Sequence, residues 1–413
     1  MAGRSQVTVP PADRLRVLLV SSHPVQYAAP VFRRYADDPR LDVLVAFCSL
    51  QGVERAIDPE FDTEVAWDVP LLDGYPWVHI VNRSLRPRVV GSVGLVNPGL
   101  WSLVRRGRFD VVVCYGYRAA SFWIAAAAAR ASGARLVLTT DAHTLNPRDG
   151  ARWKLAMKRW ILPRLFGVAD GVLAPSTRTA RFLAELGVSP GHVFLTPYAV
   201  DTTSFAAGAA AADRAAVRKR WGIPSSAPVA LFVGKLVPWK RPGDLLEAAG
   251  SVEGAHVVFA GEGMLRGALE RRARQLGLHH RTRFLGFVNQ RALPETYAAA
   301  DVLVLPSEYE AFGVVVNEAF ACGRPAVVSD ACGSVGDLVR DGDTGFVVRV
   351  GDVRALADRL RSLLDDGLRA RLGEAARARI AEWGPHQNAA AFADACLALA
   401  GRTPPVAVVG RSA

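Results

Sequence analysis

The segment PSEYEAFGVVVNEAFACGRP, residues 306–325, determines how the rest of the chain is interpreted. The apolar, β-branched run before it ends at Leu305 and predicts a buried strand, and a helix is predicted to begin near Val314. Glu310 then lies in the connecting loop, and Glu318 lies more than one turn inside the helix. The segment therefore predicts two carboxylates at the carboxyl end of a strand, where open α/β sheets bind their ligands.

The chemistry of this segment suits a ligand that carries both phosphate and hydroxyl groups. Free amide groups at the start of a helix favour a phosphate or a sugar hydroxyl. Gly313 lets the backbone approach a ligand closely, and the Glu318 carboxylate can accept two hydrogen bonds from a vicinal diol such as a ribose. The residues predict a polyhydroxylated, phosphorylated ligand.

A second loop with suitable chemistry lies in LFVGKLVPWKRPGDLLEA, residues 231–248. A predicted strand runs into Gly234, and Lys235 and Lys240 follow it. Two cations placed after a strand can clamp a diphosphate and neutralise the charge that grows on a leaving group. Alternatively, they are two surface lysines at the entrance of a helix.

Short apolar runs alternate with longer Ala, Arg and Leu-rich segments along most of the chain. The runs include LRVLLVSS, LDVLVAFC, FDVVVCYG and RLVLTTD in the first half, and VALFVGKL, HVVFAGEG, DVLVLPS and PAVVSD in the second. Continuous apolar runs suit strands that are buried on both faces of a parallel sheet. Six or seven such runs on each side of one interruption predict an α/β protein with two Rossmann-like, doubly wound domains.

The interruption covers residues 202–228, which begin loosely, hold one helical stretch and end in a Pro/Ser turn. We interpret it as the interdomain linker. The predicted units are then an N-terminal domain over 1–201, a C-terminal, ligand-binding domain over 229–381, a last helix over 382–400 and a flexible tail over 401–413.

The segment 306–325 resembles the signature of the retaining family-4 glycosyltransferases, which is Glu-x7-Glu followed by Gly-x-Pro. The matching positions are Glu310, Phe312, Gly313, Glu318, Ala319, Gly323 and Pro325. Ala311 replaces a more usual Gly. The resemblance implies the GT-B architecture, in which two Rossmann-like domains face each other across a cleft. It also implies a nucleotide-diphosphate sugar bound in the C-terminal half, with UDP favoured, and a helix over 382–400 that crosses back to the N-terminal domain.

The resemblance also implies roles for single residues of the donor site. In the family the first Glu, here Glu310, contacts the donor sugar, and the second, Glu318, holds the ribose. The loop with Lys235 and Lys240 is similar to a Gly-Arg-x6-Lys element, with Lys235 in place of Arg. Lysine loses the planar fork of arginine but keeps the charge. We therefore assign Lys235, Lys240 and Glu310 to catalysis, and Gly234, Phe312, Gly313, Val314 and Glu318 to donor binding.

Three further elements follow in the order typical of that family. The turn with Gly261 and Glu262 and the strand end near Val288 are expected to contact the nucleotide and its base. The turn DGDTGF, residues 341–346, is the usual late turn. Its Asp341 and Asp343 form the Asp-x-Asp string that binds metal in another glycosyltransferase fold, but we interpret it as an Asp-Gly turn and expect no metal and no cofactor. Taken alone, these turns are also ordinary ones.

In the N-terminal half, Asp141 and His143 come just after a predicted strand. Related enzymes often carry a histidine in this loop that faces the donor sugar, so we assign His143 to catalysis and Asp141 to acceptor binding. A merely solvated histidine is the alternative.

The loop SSHPVQYAAPVF, residues 21–32, follows the first strand and lacks the Gly-Gly pair of many relatives. His23, Gln26 and Tyr27 supply hydrogen-bonding groups and an aromatic face that suit a sugar-like or cyclitol acceptor. A packed entry into a helix is the other interpretation.

The segment RWKLAMKRWILPRLF, residues 152–166, is basic and amphipathic. Trp153, Met157, Trp160 and Ile161 share one helical face. That face could rest on an anionic membrane surface, or it could be buried inside the domain, as in most amphipathic helices.

Composition limits the class of protein. The 413 residues are half hydrophobic, which suits sizeable cores, and the +11 net charge is concentrated in the first 200 residues. That excess fits an anionic surface or ligand, or solubility alone. The five scattered cysteines argue against zinc and disulfide frameworks and for a reducing cytosol. We expect a cytoplasmic protein with no nucleic-acid partner, and about the first 12 residues to be a disordered leader.

Competing functions remain open on the same architecture: a nucleotide-sugar epimerase, a sugar phosphorylase, or a binding protein without activity. No acid/base pair for an epimerase and no cofactor-lysine motif for a phosphorylase can be identified. The resemblance implies retention of configuration, and no carboxylate of the N-terminal loops is clearly placed as a base opposite the leaving group, as inversion would require. Asp141 is the only candidate for that role.

Overall fold

A computed structural model describes residues 14–54, 56–58, 63–89, 91–145 and 152–402. The predicted leader and nearly all of the predicted tail lie outside these residues. The described chain forms two sheets of parallel strands with helices on both faces, so the predicted α/β class with two Rossmann-like domains is confirmed.

The first half contributes strands and helices to the N-terminal domain. Its described strands are β1 Leu15–Ser21, β2 Leu41–Phe47, β3 Ala56–Asp58, β4 Thr63–Val65, β5 Trp77–His79, β6 Val111–Cys114, β7 Arg135–Thr139, β8 Gly171–Ala174 and β9 Val193–Leu195. Its helices are α1 Ala29–Asp37, α2 Gly99–Gly107, α3 Ala120–Ser132, α4 Arg152–Gly167 and α5 Thr177–Glu185. The main sheet has the order β5-β2-β1-β6-β7-β8-β9, and β3 and β4 form a separate antiparallel pair.

The second half forms a six-stranded sheet in the order β12-β11-β10-β13-β14-β15. The strands are β10 Val229–Val233, β11 His256–Ala260, β12 Thr282–Gly286, β13 Val302–Leu305, β14 Ala326–Ser329 and β15 Gly345–Val348. The helices are α6 Thr202–Ala211, α7 Arg214–Arg220, α8 Pro242–Gly250, α9 Arg266–Gln275, α10 Leu293–Ala299, α11 Val314–Ala321, α12 Val353–Ser362, α13 Asp366–Ala381 and α14 Pro385–Leu399. Apolar side chains from both faces of each sheet are buried, as their continuous runs require.

The expected loose start of the linker over 202–228 is wrong. The Asp201 side chain accepts a hydrogen bond from the Ser204 amide and caps α6, which satisfies one of the amides at the helix start. Phe205 is buried in the core of the C-terminal domain. An Ala-rich helix with a single large apolar anchor has no amphipathic pattern that would predict it.

Helix α14 returns to the N-terminal domain. Phe392 stacks on Tyr35 of α1 with ring centroids 3.8 Å apart, and Tyr35 donates a hydrogen bond to Asn388 at 2.7 Å. At its start, a Cβ placed on Gly384 would lie 3.6 Å from the Thr202 hydroxyl oxygen. The chain therefore passes between the domains twice, at neighbouring positions.

The predicted apolar face of helix α4 points away from the core of the domain. Leu162 and Phe166 enter the core of the N-terminal domain. The four residues of the predicted apolar face are exposed: Trp153, Met157, Trp160 and Ile161. Burial of that face is therefore wrong. Within the described part of the chain, no helix has both the length and the apolar character needed to cross a bilayer.

All five cysteines are buried and unpaired with one another. Burial raises the pKa of the Cys48 and Cys322 thiols to about 12. Buried thiols of that kind are structural and weakly reactive. None of the five cysteines takes part in a disulfide that supports the fold.

Candidate active site

Four loops of the C-terminal domain meet at the carboxyl edge of its sheet. They follow β10, β11, β12 and β13, which lie side by side. The loop after β10 contacts the loop after β13 directly, because the Glu308 amide donates to the Trp239 carbonyl at 2.8 Å. The sequence-predicted donor residues of these loops are thereby brought to one place.

Two residues assigned to catalysis form an ion pair. Lys240 Nζ lies 2.6 Å from Glu310 Oε2, and both side chains are mostly buried, at 19% and 14% exposure. The Ser307 hydroxyl makes a longer, 3.4 Å contact with the same carboxylate oxygen. Lys235 lies at the start of the same loop, where its carbonyl accepts from the Val237 amide. The Lys240 ammonium group is thus held in the loop after β10, next to the start of α11.

Gly261 and Gly263 must be glycines because of a close contact that the sequence did not reveal. A Cβ on Gly261 would overlap the carbonyl oxygen of Gly234, and one on Gly263 would meet the Leu236 backbone. The two loops are joined by a hydrogen bond from the Leu236 amide to the Glu262 carbonyl at 2.8 Å. The close approach expected of these glycines is made to the neighbouring loop of the same domain.

Glu262 belongs to a charged cluster beside the end of β12. Its carboxylate pairs with Arg266, which also bonds Glu270 at 3.0 Å. The Arg266 guanidinium lies 5.7 Å from the centroid of the Phe284 ring. Neither Arg266 nor Phe284 was predicted, since no motif marks them. Val288, beyond the same strand, is half-buried against the domain core.

Glu318 is almost completely buried, at 3% exposure. The Tyr297 hydroxyl donates a hydrogen bond to its Oε2 at 2.7 Å. Burial raises the pKa of Glu318 to about 7, although hydrogen bonds from Tyr297 and Gln290 act in the opposite direction. The structure thus presents a carboxyl group that changes charge near neutral pH. Tyr297, its main partner, was not predicted.

The start of α11 depends on Gly313, which has a φ of +90°. A Cβ there would lie 3.0 Å from both Cys332 Sγ and a Leu305 methyl carbon, so glycine is required by conformation and by space. The neighbouring Phe312 ring is buried and stacks on Tyr198 at 5.3 Å. Its side chain therefore serves packing across the cleft, and only its backbone borders the helix start at Val314.

His143 reaches across the cleft. Its ring is parallel to that of Tyr309, with centroids 5.3 Å apart. Burial lowers the pKa of His143, and the charge of Arg178 lowers it further, so the neutral imidazole is favoured. Its Nδ1 is buried and has no hydrogen-bond partner within the described structure. Tyr309, one residue before Glu310, was not predicted.

The predicted acceptor residues Tyr27 and Asp141 lie close enough to influence each other electrostatically. Tyr27 and Tyr198 form an edge-to-face pair at 5.4 Å. Burial raises the pKa of both phenols and of Tyr117, and the Asp141 carboxylate raises all three further. The Asp141 carboxylate is thus within electrostatic reach of the three phenols, and groups of both kinds can hydrogen-bond a polyol.

The remaining acceptor candidates are less well connected. His23 is half-buried, and its Nδ1 lies 2.9 Å from the Ser22 hydroxyl. Gln26 is half-buried in the same loop. Both residues lie at the carboxyl end of β1, as expected from the sequence.

The domains touch through further polar contacts near the site. Thr177 donates to Asp337 through its amide at 2.8 Å and its hydroxyl at 2.7 Å. Asp341 accepts from the Val347 amide at 2.9 Å in the turn before β15, as an Asp-Gly turn would. Among the described residues, no group of three or more potential side-chain ligands is arranged to hold a metal ion.

Family models match both halves of the chain. Residues 47–204 match the model described as Glycosyltransferase Family 4, and residues 213–379 match the model described as Glycosyl transferases group 1.

Curated relatives share part of the sequence. D-inositol 3-phosphate glycosyltransferase of Geodermatophilus obscurus is 39% identical over 210 residues, covering 48% of this chain and 46% of the relative. D-inositol 3-phosphate glycosyltransferase 2 of Catenulispora acidiphila is 37% identical over 243 residues, covering 54% and 56%. The chain thus spans about half the length of the curated relatives it matches.

Solved structures share the fold over nearly the whole chain. Anabaena HepE in complex with UDP and glucose has a TM-score of 0.69 at 19% identity and covers 92% of this chain and 99% of its own. Sucrose-phosphate synthase from Thermosynechococcus elongatus has a TM-score of 0.66 at 19% identity, with coverages of 92% and 97%. With the two family matches and the GT-B fold, the chain belongs to the family-4-like GT-B glycosyltransferases.

Proposed function

We propose that the chain transfers a sugar from a nucleotide-diphosphate sugar to a hydroxyl acceptor, with retention of configuration and without a metal. The observation that carries the proposal is the contact between Lys240 and Glu310 at the start of α11. It combines a cation, a carboxylate and free helix amides within one site, which matches the needs of a sugar diphosphate.

The donor is proposed to lie along the carboxyl edge of the C-terminal sheet. Its diphosphate is held by Lys235, Lys240 and the amides at the start of α11, and its ribose hydrogen-bonds Glu318. The base lies near Val288. UDP is the nucleotide to test first, since Anabaena HepE, which has the same fold, was solved in complex with UDP and glucose.

The proposed reaction occurs on one face of the sugar. The bond from the anomeric carbon to the β-phosphate oxygen breaks while the acceptor oxygen bonds the same carbon from the same side. The acceptor proton passes to the departing phosphate oxygen, whose growing charge the two lysines stabilise. The neutral His143 imidazole can hydrogen-bond the sugar without adding charge.

The acceptor is proposed to bind in the N-terminal pocket of Tyr27, Asp141, His23 and Gln26. A polyol is the first class to test. The edge-to-face pair of Tyr27 and Tyr198 and the electrostatic influence of Asp141 on both phenols support it, and the partial relatives are named for D-inositol 3-phosphate.

The product should keep the anomeric configuration of its donor. With UDP-α-sugars and polyol acceptors, in buffer containing EDTA, we expect an α-linked product and release of UDP. Proton NMR of the anomeric coupling decides the stereochemistry. A β-linked product would reject retention and promote Asp141 to catalytic base, and activity that requires added Mg²⁺ or Mn²⁺ would reject metal independence.

Nucleotide affinity should depend on the ionisation of Glu318. Because its pKa is raised to about 7, the carboxylate that accepts from the ribose is lost as pH falls through 7. We expect UDP to bind more weakly at pH 6 than at pH 8, measured by calorimetry.

The matched variant is Glu318→Gln, which keeps the shape but does not titrate. It should bind UDP more weakly at pH 8 and retain only the pH dependence of the nucleotide's own phosphate. Equal pH profiles for the two proteins would remove Glu318 from the ribose site.

A further inference from the structure

Positive charge is concentrated in one part of the N-terminal domain. Residues 81–168 hold fifteen Lys and Arg against three Asp and no Glu, a net charge of +12 that exceeds the +11 of the whole chain. The same span holds ten of the fourteen large apolar side chains that are exposed among the described residues. Positive charge and exposed apolar side chains are therefore concentrated in the same span of the chain. Solubility alone would explain the charge but not the exposed apolar side chains.

The helices of this span share one side of the domain. Helices α2, α3 and α4 bury their inner sides in the same apolar cluster, through Leu100, Phe122 and Phe166 among others, so they cover one face of the sheet. The described parts of the loop before α2, residues 81–89 and 91–98, adjoin them, because the Ala120 amide at the start of α3 donates to the Ser92 carbonyl at 2.8 Å. We call the outer surface of this loop and these helices the basic apolar face.

The basic apolar face carries both large apolar and cationic side chains that are exposed. The apolar ones include Leu85, Trp101, Trp123, Trp153, Met157 and Trp160. The exposed cations of the same loop and helices include Arg83, Arg86, Arg105, Arg106, Arg159 and Arg164. Two tryptophans of α4 are more than 60% exposed, and the Arg164 guanidinium lies 4.4 Å from the Trp160 ring centroid.

We propose that the basic apolar face docks on an anionic lipid bilayer. Arginines attract the headgroups of such a surface, and tryptophans favour the boundary between headgroups and acyl chains. The aliphatic members, such as Leu85 and Met157, suit lipid and have no planar group to stack on a nucleobase. This charge and this apolar content together fit a membrane better than a nucleic acid.

The docking surface borders the acceptor side of the cleft. Helices α3 and α4 begin after β6 and β7, whose loops carry Tyr117 and His143. Lys158 of α4 donates to the Leu145 carbonyl at 3.2 Å, which ties the helix to the loop of His143. Docking would therefore bring the cleft close to the bilayer. The proposal stands independently of the reaction proposed above.

Vesicle cosedimentation tests the proposal with the full chain. We expect binding to phosphatidylcholine vesicles that contain about one third phosphatidylglycerol, little binding to phosphatidylcholine alone, and loss of binding at high salt. The Trp153→Ser/Trp160→Ser variant should partition at least about tenfold less, because two large apolar groups are removed. The Arg105→Glu/Arg106→Glu variant should also bind less.

The matched control is Met264→Ser/Leu364→Ser, which removes two exposed apolar side chains of the C-terminal domain and should bind as the unaltered chain does. Melting temperatures should stay unchanged, since all these side chains are exposed. Unchanged vesicle binding in the tryptophan variant would overturn the proposal. So would dimers that the tryptophan variant dissociates, or binding to RNA in place of vesicles.

Discussion

Replacing Lys240 by Ala should lower kcat about a hundredfold, with a smaller rise in the donor KM. Removing one preorganised charge from a developing oxyanion typically has an effect of this order. The structure sharpens the expectation, because Lys240 Nζ is held 2.6 Å from Glu310 and is only 19% exposed. Water has little access to that position, so it cannot easily stabilise the charge that Lys240 would have neutralised.

The measurement is steady-state release of nucleotide diphosphate with the preferred donor. Lys219→Ala is the matched control, since Lys219 is exposed at the end of α7 and should leave kcat unchanged. Lys240→Arg should recover part of the activity by restoring the charge. Normal turnover in the alanine variant would contradict the catalytic assignment, and thermal unfolding of both variants separates catalysis from loss of folded protein.

The largest effect on stability is expected for Asp301→Ala. Asp301 is 6% exposed and accepts from Arg218 at 2.8 Å and from the Val229 amide at 2.7 Å. Arg218 is itself 1% exposed. Removing the carboxylate leaves a buried guanidinium without its counter-charge, which typically costs about 3–5 kcal/mol. The free energy of unfolding in urea should fall by that amount.

The matched control is a surface ion pair that also starts from α7 and reaches Glu295 in α10. Arg220 and Glu295 lie 2.8 Å apart but are 56% and 41% exposed, so Glu295→Ala should cost less than about 1 kcal/mol. Burial raises the pKa of Asp301, yet Arg214 and Arg218 lower it below its usual value. The stabilisation is therefore present above the pKa of the unfolded chain and is lost as pH falls through the lower, folded value. Similar losses in the two variants would show that Asp301 acts as an ordinary surface charge.

The strand–helix alternation predicted both sheets. A continuous apolar run has to be buried on both of its faces, and in a doubly wound fold only a strand inside the sheet is buried in that way. Residues that act within one loop, such as Glu310 and Gly313, could be predicted from their local pattern. Gly261 could not be interpreted in the same way. Its neighbour Gly234 follows another strand, β10, and the adjacency of β10 and β11 is a property of the whole sheet.

Helix α4 shows a different limit of sequence pattern. It has two apolar stripes, one with Trp153 and Trp160 and one with Leu162 and Phe166, and periodicity does not show which one faces the core. The packed fold decides, because Leu162 and Phe166 join the buried apolar cluster of the N-terminal domain, where the Phe166 ring meets Tyr117 edge-to-face at 5.5 Å. Contacts across the cleft, such as His143 with Tyr309, are equally invisible in the sequence, since they depend on how the domains meet.

The two neighbouring passages of the chain between the domains have a mechanical consequence. A single covalent connection would allow one domain to rotate about any axis relative to the other. Two connections side by side restrict that rotation. Rotation about the line through Thr202 and Gly384 remains allowed, while twist and lateral shear are resisted by the backbone itself. Any opening of the cleft would have to separate the His143 ring from the Tyr309 ring on which it stacks.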